Sequence, residues 1–271
     1  MGHTRMFCLV FLAATLSVSP IANALPGAPC ASASGAKSQE HAAGAACDPH
    51  FTYTPGPHGP AHWGGSCNSN TAKTQSPINI SHAVVTPLPP LEFAYQDGGL
   101  SMLNDCDHWR ILVNIAPGST LKYGGHTYTL EQFHFHEPAE TLVKGGHPLA
   151  MEVHLVHKGD DGSGLVVAAL IQPGRANELI KTLWSHIPPK GEKYENENIK
   201  INADGLLPEN KGFYLFPGSL TTPGCDEGVT WIVFKEPIRL SPMQIARYKT
   251  QYHGTARRVQ PVNDRKIEQT E

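Results

Sequence analysis

Two short segments constrain this chain more than anything else in it. The run Thr127-Tyr-Thr-Leu-Glu-Gln-Phe-His-Phe-His136 alternates polar and apolar residues and is rich in β-branched and aromatic side chains, which predicts a strand. Side chains at i and i+2 on a strand share a face. Gln132, His134 and His136 therefore point one way, and Phe133 and Phe135 the other. The run Met151-Glu-Val-His-Leu-Val-His157 behaves similarly. Glu152, His154 and Val156 share one face, while Val153, Leu155 and His157 share the opposite one. If the two strands pair, three imidazoles converge. Gln132 and Glu152 then sit beside them, able to accept the N–H of whichever ring nitrogen does not bind a metal. Three histidines without a fourth protein ligand suit a catalytic zinc, which keeps a position open for water, whereas a structural zinc is closed by four protein ligands. A His-x-His pair by itself is weak evidence, because it also fits the exposed face of an amphipathic strand. The nearby Glu-x-His is what strengthens the metal reading. His157 has the wrong parity for the cluster and reads as a core histidine.

The rest of the chain sets the context. Its 271 residues, 40% hydrophobic and 17% charged, suit one globular domain with a full-sized core. The formal charge of −3 leaves no basic excess, so no nucleic acid and no anionic membrane is expected as a partner. Residues 1–24 read as a signal peptide: Arg5 supplies the positive charge, Phe7 to Val18 the apolar core, and Ala22-Asn-Ala24 a small-x-small cleavage site. That predicts an exported protein, periplasmic or secreted, with no membrane attachment after cleavage. Cys8 leaves with the signal. Cys30, Cys47, Cys67, Cys106 and Cys225 remain, an odd number in a compartment that permits disulfides.

Residues 25–50 are rich in Ala, Gly, Ser and Pro and read as a flexible leader, with a Cys30–Cys47 bridge as one way to close it. From Phe51 onward short β-like runs recur between Gly and Pro punctuation: Trp109–Ile115, Thr127–His136, Met151–His157, Leu165–Ile171 and Val229–Phe234. Two helices are expected, one over Ala176–Ile187 stopped by Pro188-Pro189, and one opened by the capping box Ser241-Pro-Met-Gln244. The expectation is a mainly β (α+β) domain over residues 51–271, with a few surface helices.

Taken together, six segments resemble the α-class carbonic anhydrases, especially the exported bacterial type. They are Gly59-Pro-Ala-His-Trp63, Gln75-Ser-Pro-Ile-Asn-Ile80, Gln132-Phe-His-Phe-His136, Glu152-Val-His-Leu-Val-His157, Gly218-Ser-Leu-Thr-Thr-Pro223 and Val229-Thr-Trp-Ile-Val-Phe-Lys-Glu-Pro237. The resemblance runs from about Phe51 to about Lys266. It implies a large central, mostly antiparallel twisted sheet with zinc at the base of a conical cleft. It also implies reversible hydration of carbon dioxide to bicarbonate and a proton by attack of zinc-bound hydroxide, with esterase activity on the side.

By that resemblance His134, His136 and His154 are the zinc ligands, with Gln132 and Glu152 hydrogen-bonded behind them. Thr221 accepts the hydroxide proton and donates its own to Glu140. Val156, Val167, Leu220 and Trp231 line the apolar wall for carbon dioxide, Thr222 touches bicarbonate, and Cys67 and Cys225 form a disulfide. The proton carrier is less direct. The stretch Leu103-Asn-Asp-Cys-Asp-His108-Trp109 is one residue longer than the family's usual run, so His108 or Trp109 stands at the expected position, and His108 is the one that can carry a proton. The competing reading is a catalytically inactive carbonic-anhydrase-like binding domain. Such domains typically lack one of the three histidines, and all three are here. A zinc scavenger is disfavoured because the 15 histidines are scattered. Self-association into a homodimer is left open.

Overall fold

The two histidine-bearing segments pair, and the rest of the sheet is built outward from them. The computed structural model describes residues 50–271. The expected signal peptide, nearly all of the leader, and the Cys30–Cys47 bridge lie outside these residues. The described strands are β1 (Asn79–Ile80), β2 (Val84–Val85), β3 (Glu92–Ala94), β4 (Gly98–Asp105), β5 (Arg110–Asn114), β6 (Thr120–Tyr123), β7 (His126–His136) and β8 (Leu142–Val143). They continue as β9 (Met151–Gly159), β10 (Gly164–Pro173), β11 (Lys193–Ile201), β12 (Phe213–Ser219), β13 (Glu227–Phe234), β14 (Ile238–Leu240) and β15 (Glu268–Gln269). Thirteen of them form one sheet, ordered β11-β4-β5-β7-β9-β10-β13-β12-β15-β2 along its main path. Most neighbours are antiparallel; β13 and β14 run parallel to β10, and β2 parallel to β15. The expected mainly β, mostly antiparallel architecture is what the chain adopts.

The pairing of β7 with β9 contains an irregularity that places the site. Tyr128 pairs with Gly159 and Leu130 with His157, but beyond Glu131 the register shifts by one residue, so that Gln132 pairs with Val156, His134 with His154 and His136 with Glu152. Such a β-bulge flips the face that later residues present. Tyr128 and Leu130 before it, and Phe133 and Phe135 after it, accordingly all enter the same core despite their opposite parity. The sheet buries two faces. One packs Phe133, Phe135, Val153, Leu155 and Val167 under two short helices, and the other packs Val166, Ala168, Phe216 and Trp231 against Ile78 and Ile80.

The first helix is shorter than the periodicity over Ala176–Ile187 implies. α1 covers Glu178–Trp184, because Asn177 caps it by accepting the Ile180 N–H. α2 (Pro242–Lys249) opens with the expected capping box between Ser241 and Gln244. Trp184 donates its indole N–H to the Gln244 carbonyl at 3.0 Å, tying the two helices together.

His157 is a core residue. It is 1% exposed, its Nε2 lies 2.7 Å from the Tyr95 hydroxyl, and burial lowers its pKa to about 4. A histidine with a folded pKa below its unfolded value of about 6.5 contributes stability that is complete above pH 6.5 and is lost as pH falls towards 4, where both states become protonated. Urea unfolding of the wild type and His157→Leu at pH 7 and pH 4.5 is expected to show the variant losing about 2–3 kcal/mol less over that interval. Equal losses would mean that His157 is not held neutral in the fold.

Candidate metal centre

The three imidazoles meet where the bulge aligns their faces. His134, His136 and His154 are all buried, with ring centroids 5.1, 5.4 and 4.6 Å apart. One nitrogen of each lies within 4.8 Å of the others. The opposite nitrogens are engaged by the protein. Gln132 Oε1 lies 2.8 Å from His134 Nδ1, the Thr255 carbonyl 2.7 Å from His136 Nδ1, and Glu152 Oε1 3.1 Å from His154 Nε2. These acceptors place a hydrogen on those nitrogens and leave His134 Nε2, His136 Nε2 and His154 Nδ1 with lone pairs towards the centre. His136 Nε2 is buried with no hydrogen-bond partner. Burial holds His134 and His136 well below the ordinary imidazole pKa, with Arg110 foremost among the charges that add to this at His134 and His154 at His136. A set of three imidazole nitrogens in this arrangement fits a zinc-type divalent ion far better than an oxygen-seeking magnesium or calcium. The one other cluster of this kind among the described residues, His126 with Asp160 and Asp161, is exposed, with His126 Nδ1 3.5 and 3.7 Å from the two carboxylates.

The carboxylates behind the histidines are themselves tightly held. Glu152 accepts the backbone N–H of Glu140 and Thr141 at 2.8 and 2.7 Å and the Thr141 hydroxyl at 2.9 Å. Burial raises its pKa, but the His154 and Thr141 hydrogen bonds outweigh this and hold it below the usual carboxylate value. Glu140 Oε1 accepts the Arg257 N–H at 2.7 Å. Its Oε2 is buried without a partner at hydrogen-bond distance, and burial pushes the carboxyl up to about 7 while the Arg257 N–H and the Thr221 hydroxyl pull against it. Tyr53, whose hydroxyl is also buried and unpartnered, packs its ring edge-on 6.3 Å from His136.

The loop that carries Thr221 is pinned from several directions. Cys67 and Cys225 form a disulfide. Ser66 N–H donates to the Gly224 carbonyl at 2.8 Å, and the Gln75 amide to the Cys225 carbonyl at 2.9 Å. Arg257 reaches the Ser76 and Cys67 carbonyls at 2.7 and 3.2 Å, linking this loop to Glu140. Gly218 matters for a different reason: a Cβ there would stand 2.6 Å from the Trp231 ring, which lies against it and donates its N–H to the Ser219 carbonyl at 3.0 Å. Cys106 is disulfide-bonded as well.

A cleft of about 260 Å³ opens above the histidines, lined by His108, Arg110, Gln132, His134, His154, Val156, Val166, Leu220, Thr221, Thr222 and Trp231. One expected wall residue is misplaced. Val167 is fully buried on the far face of the sheet, and Val166 takes its place in the cleft. The reason is register: Val166 pairs with Val156 and so shares its face, whereas Val167 pairs with Leu155. Of the two residues competing for the rim, His108 lies in the cleft, while Trp109 packs against the main core and donates its indole N–H to the Phe51 carbonyl at 2.8 Å. Sequence reading missed Thr255, Arg257, Tyr53 and Arg110. The first acts through its backbone, which leaves no trace in side-chain type. The others come from segments remote in sequence. Arg110 alone was findable, since it shares strand parity with Leu112, the residue paired with His134.

Chains with this arrangement are known. Residues 58–271 match the eukaryotic-type carbonic anhydrase family. Carbonic anhydrase from Pectobacterium carotovorum is 39% identical over 213 residues, 77% of this chain and 86% of its own length. The Klebsiella pneumoniae carbonic anhydrase is 37% identical over 225 residues, 80% of this chain and 90% of its own. Among solved structures, a hyperthermostable carbonic anhydrase from an active hydrothermal vent chimney superimposes with a TM-score of 0.76 at 38% identity, covering 82% of this chain and all of that one. The chain belongs to the α, or eukaryotic-type, carbonic anhydrase family, and it is an enzyme of that class.

Two outcomes are expected. Gln132→Ala should weaken zinc binding by roughly 10–100-fold in competition with a chromophoric chelator, because His134 would lose the acceptor that fixes its tautomer. Verified reduction of Cys67–Cys225 should lower the melting temperature, the loss corresponding to about 3–5 kcal/mol for a loop of this length. An unchanged melting curve would show that the loop is held without the bridge.

Proposed function

We propose that this protein is a zinc enzyme that catalyses the reversible hydration of carbon dioxide to bicarbonate and a proton. The observation that carries the reading is the convergence of three buried histidine nitrogens, with His136 Nε2 fully buried and unpartnered, beneath a partly apolar cleft. Zinc, when bound, supplies a Lewis acid that makes a water molecule nucleophilic near neutral pH. His134, His136 and His154 would hold it, and their neutrality leaves its charge uncancelled.

The remaining residues orient and exclude. Thr221 would commit its hydroxyl hydrogen to the unpartnered Glu140 Oε2 and so present only a lone pair to the nucleophile's proton, turning the nucleophile's own lone pair towards the substrate. Arg257 and the disulfide-bonded loop keep Glu140 and Thr221 in that relation. Val156, Val166, Leu220 and Trp231 offer a wall that attracts carbon dioxide and cannot hydrogen-bond water. Thr222 stands at the same cleft to meet bicarbonate. The released proton leaves through His108, whose side chain is 47% exposed and therefore in reach of buffer. Hydrolysis of activated esters is a side reaction that the same nucleophile permits. The bridge Cys67–Cys225 supports export to an oxidising compartment, and no helix among the described residues is long and apolar enough to cross a membrane.

Stopped-flow carbon dioxide hydration should show turnover that disappears on chelation, returns with zinc, and is absent in His134→Ala. Val166→Phe should lower kcat/KM by filling the wall. Folded, zinc-loaded protein without turnover above buffer would overturn this reading in favour of an inactive binding domain.

A further inference from the structure

The turn between β4 and β5 builds a small charged network at the cleft rim. Asp105 ends β4, Arg110 opens β5, and the two residues pair across the hairpin. The Asp105 side chain is only 8% exposed, yet its carboxylate is shared among three donors. Oδ1 accepts the His108 backbone N–H at 3.3 Å, Oδ1 and Oδ2 lie 3.1 and 2.9 Å from His108 Nδ1, and Oδ2 accepts the Arg110 Nε–H at 3.1 Å. Phe51 packs edge-on against the imidazole with ring centroids 6.0 Å apart. A half-exposed histidine would ordinarily sample several rotamers and both neutral tautomers. This one is tethered at backbone and ring to the same carboxylate.

We infer that Asp105 is a positioning residue for proton export: it holds His108 with Nδ1–H on the carboxylate and Nε2 free as the atom that exchanges the proton. The inference rests on His108 being the carrier. An ionised carboxylate cannot donate, so in the neutral ring the hydrogen must sit on Nδ1 and the lone pair on Nε2. Nε2 takes the proton leaving the cleft floor and gives that same proton to buffer, while the Nδ1–H···Asp105 bond persists throughout. Arg110 serves the arrangement by fixing Asp105 from the other side. Burial favours the neutral acid, but the His108 hydrogen bond and the Arg110 charge outweigh it and keep Asp105 below the usual carboxylate pKa. The groups that bear on this pair are Arg110 on β5, His134 across the cleft on β7, Tyr53 from the N-terminal segment and Tyr252 after α2, the last of which Asp107 in the same turn also influences.

The test compares zinc-loaded wild type, Asp105→Asn, His108→Ala and the double variant. Asparagine keeps an oxygen for the His108 and Arg110 N–H groups, so the turn is preserved, but it can pair with either tautomer. In Asp105→Asn, kcat in weak buffer should fall several-fold with kcat/KM unchanged, and concentrated imidazole should restore it. Nitrogen-15 NMR of His108 should move from an Nδ1–H tautomer to a mixture. The double variant should be no slower than His108→Ala. If His108→Ala is slow while Asp105→Asn matches wild type in kcat and tautomer, Asp105 does not position the ring and the inference fails, with His108 still the carrier. If His108→Ala itself keeps full kcat in weak buffer, the carrier reading fails and the inference with it. A loss of kcat and kcat/KM together that imidazole does not rescue would mark Asp105 as merely structural and overturn the inference.

Discussion

The pairing of β7 with β9 beyond the bulge at Glu131 is the constraint on which the site depends. Before the bulge, Leu130 lies opposite His157 and both face the main core; after it, His134 lies opposite His154 and both face the cleft. Without the extra residue, continuous alternation from Tyr128 and Leu130 would turn His134 and His136 into the core and Phe133 and Phe135 out of it. The cost of exposing two phenylalanines and burying unpaired imidazoles makes that register unfavourable by several kcal/mol. The same hydrophobic packing that folds the sheet therefore selects the register that brings the three histidines together.

Around that pairing, the protein resolves a conflict between burial and polarity. Five polar or ionisable side chains, His134, His136, His154, Glu140 and Glu152, are buried together. Burial keeps His134 and His136 well below the ordinary imidazole pKa, and Glu152 offsets its desolvation by collecting four hydrogen bonds. What is left unsatisfied, His136 Nε2 and Glu140 Oε2, lies at the place where a cation and an oriented hydroxyl would complete the set. Unsatisfied buried groups in native structures are uncommon, and these two belong to residues to which the proposed chemistry gives a role.

Much of this was legible in residue order. Parity on two strands was enough to predict the three-histidine cluster with Gln132 and Glu152 beside it, and the capping box at Ser241 predicted where α2 begins. The bulge leaves a trace as well, the consecutive polar pair Glu131-Gln132 between Leu130 and Phe133, but alternation on both sides of it resembles that of one continuous strand. The placement of Val167 failed because two adjacent valines give no parity signal of their own; only pairing with Val156 identifies Val166 as the residue in the cleft. Strands such as Lys193–Ile201 were missed because their charged, half-exposed alternation resembles a solvated loop.

Local chemistry in the sequence determined the donor types, their spacing along each strand, the exported character expected of the N-terminus, and the family. These depend on neighbours within a few residues or on motifs in order, and so survive in a one-dimensional string. The tertiary structure alone decided which nitrogen of each histidine faces inward, that the Thr255 carbonyl and Arg257 complete the shell, that Val166 lines the cleft, and that Asp105 joins His108 to Arg110. The Thr255 and Arg257 contacts bridge more than 100 residues and use backbone atoms that every residue shares; the others depend on strand and hairpin register and on rotamer, and side-chain identity carries no record of either.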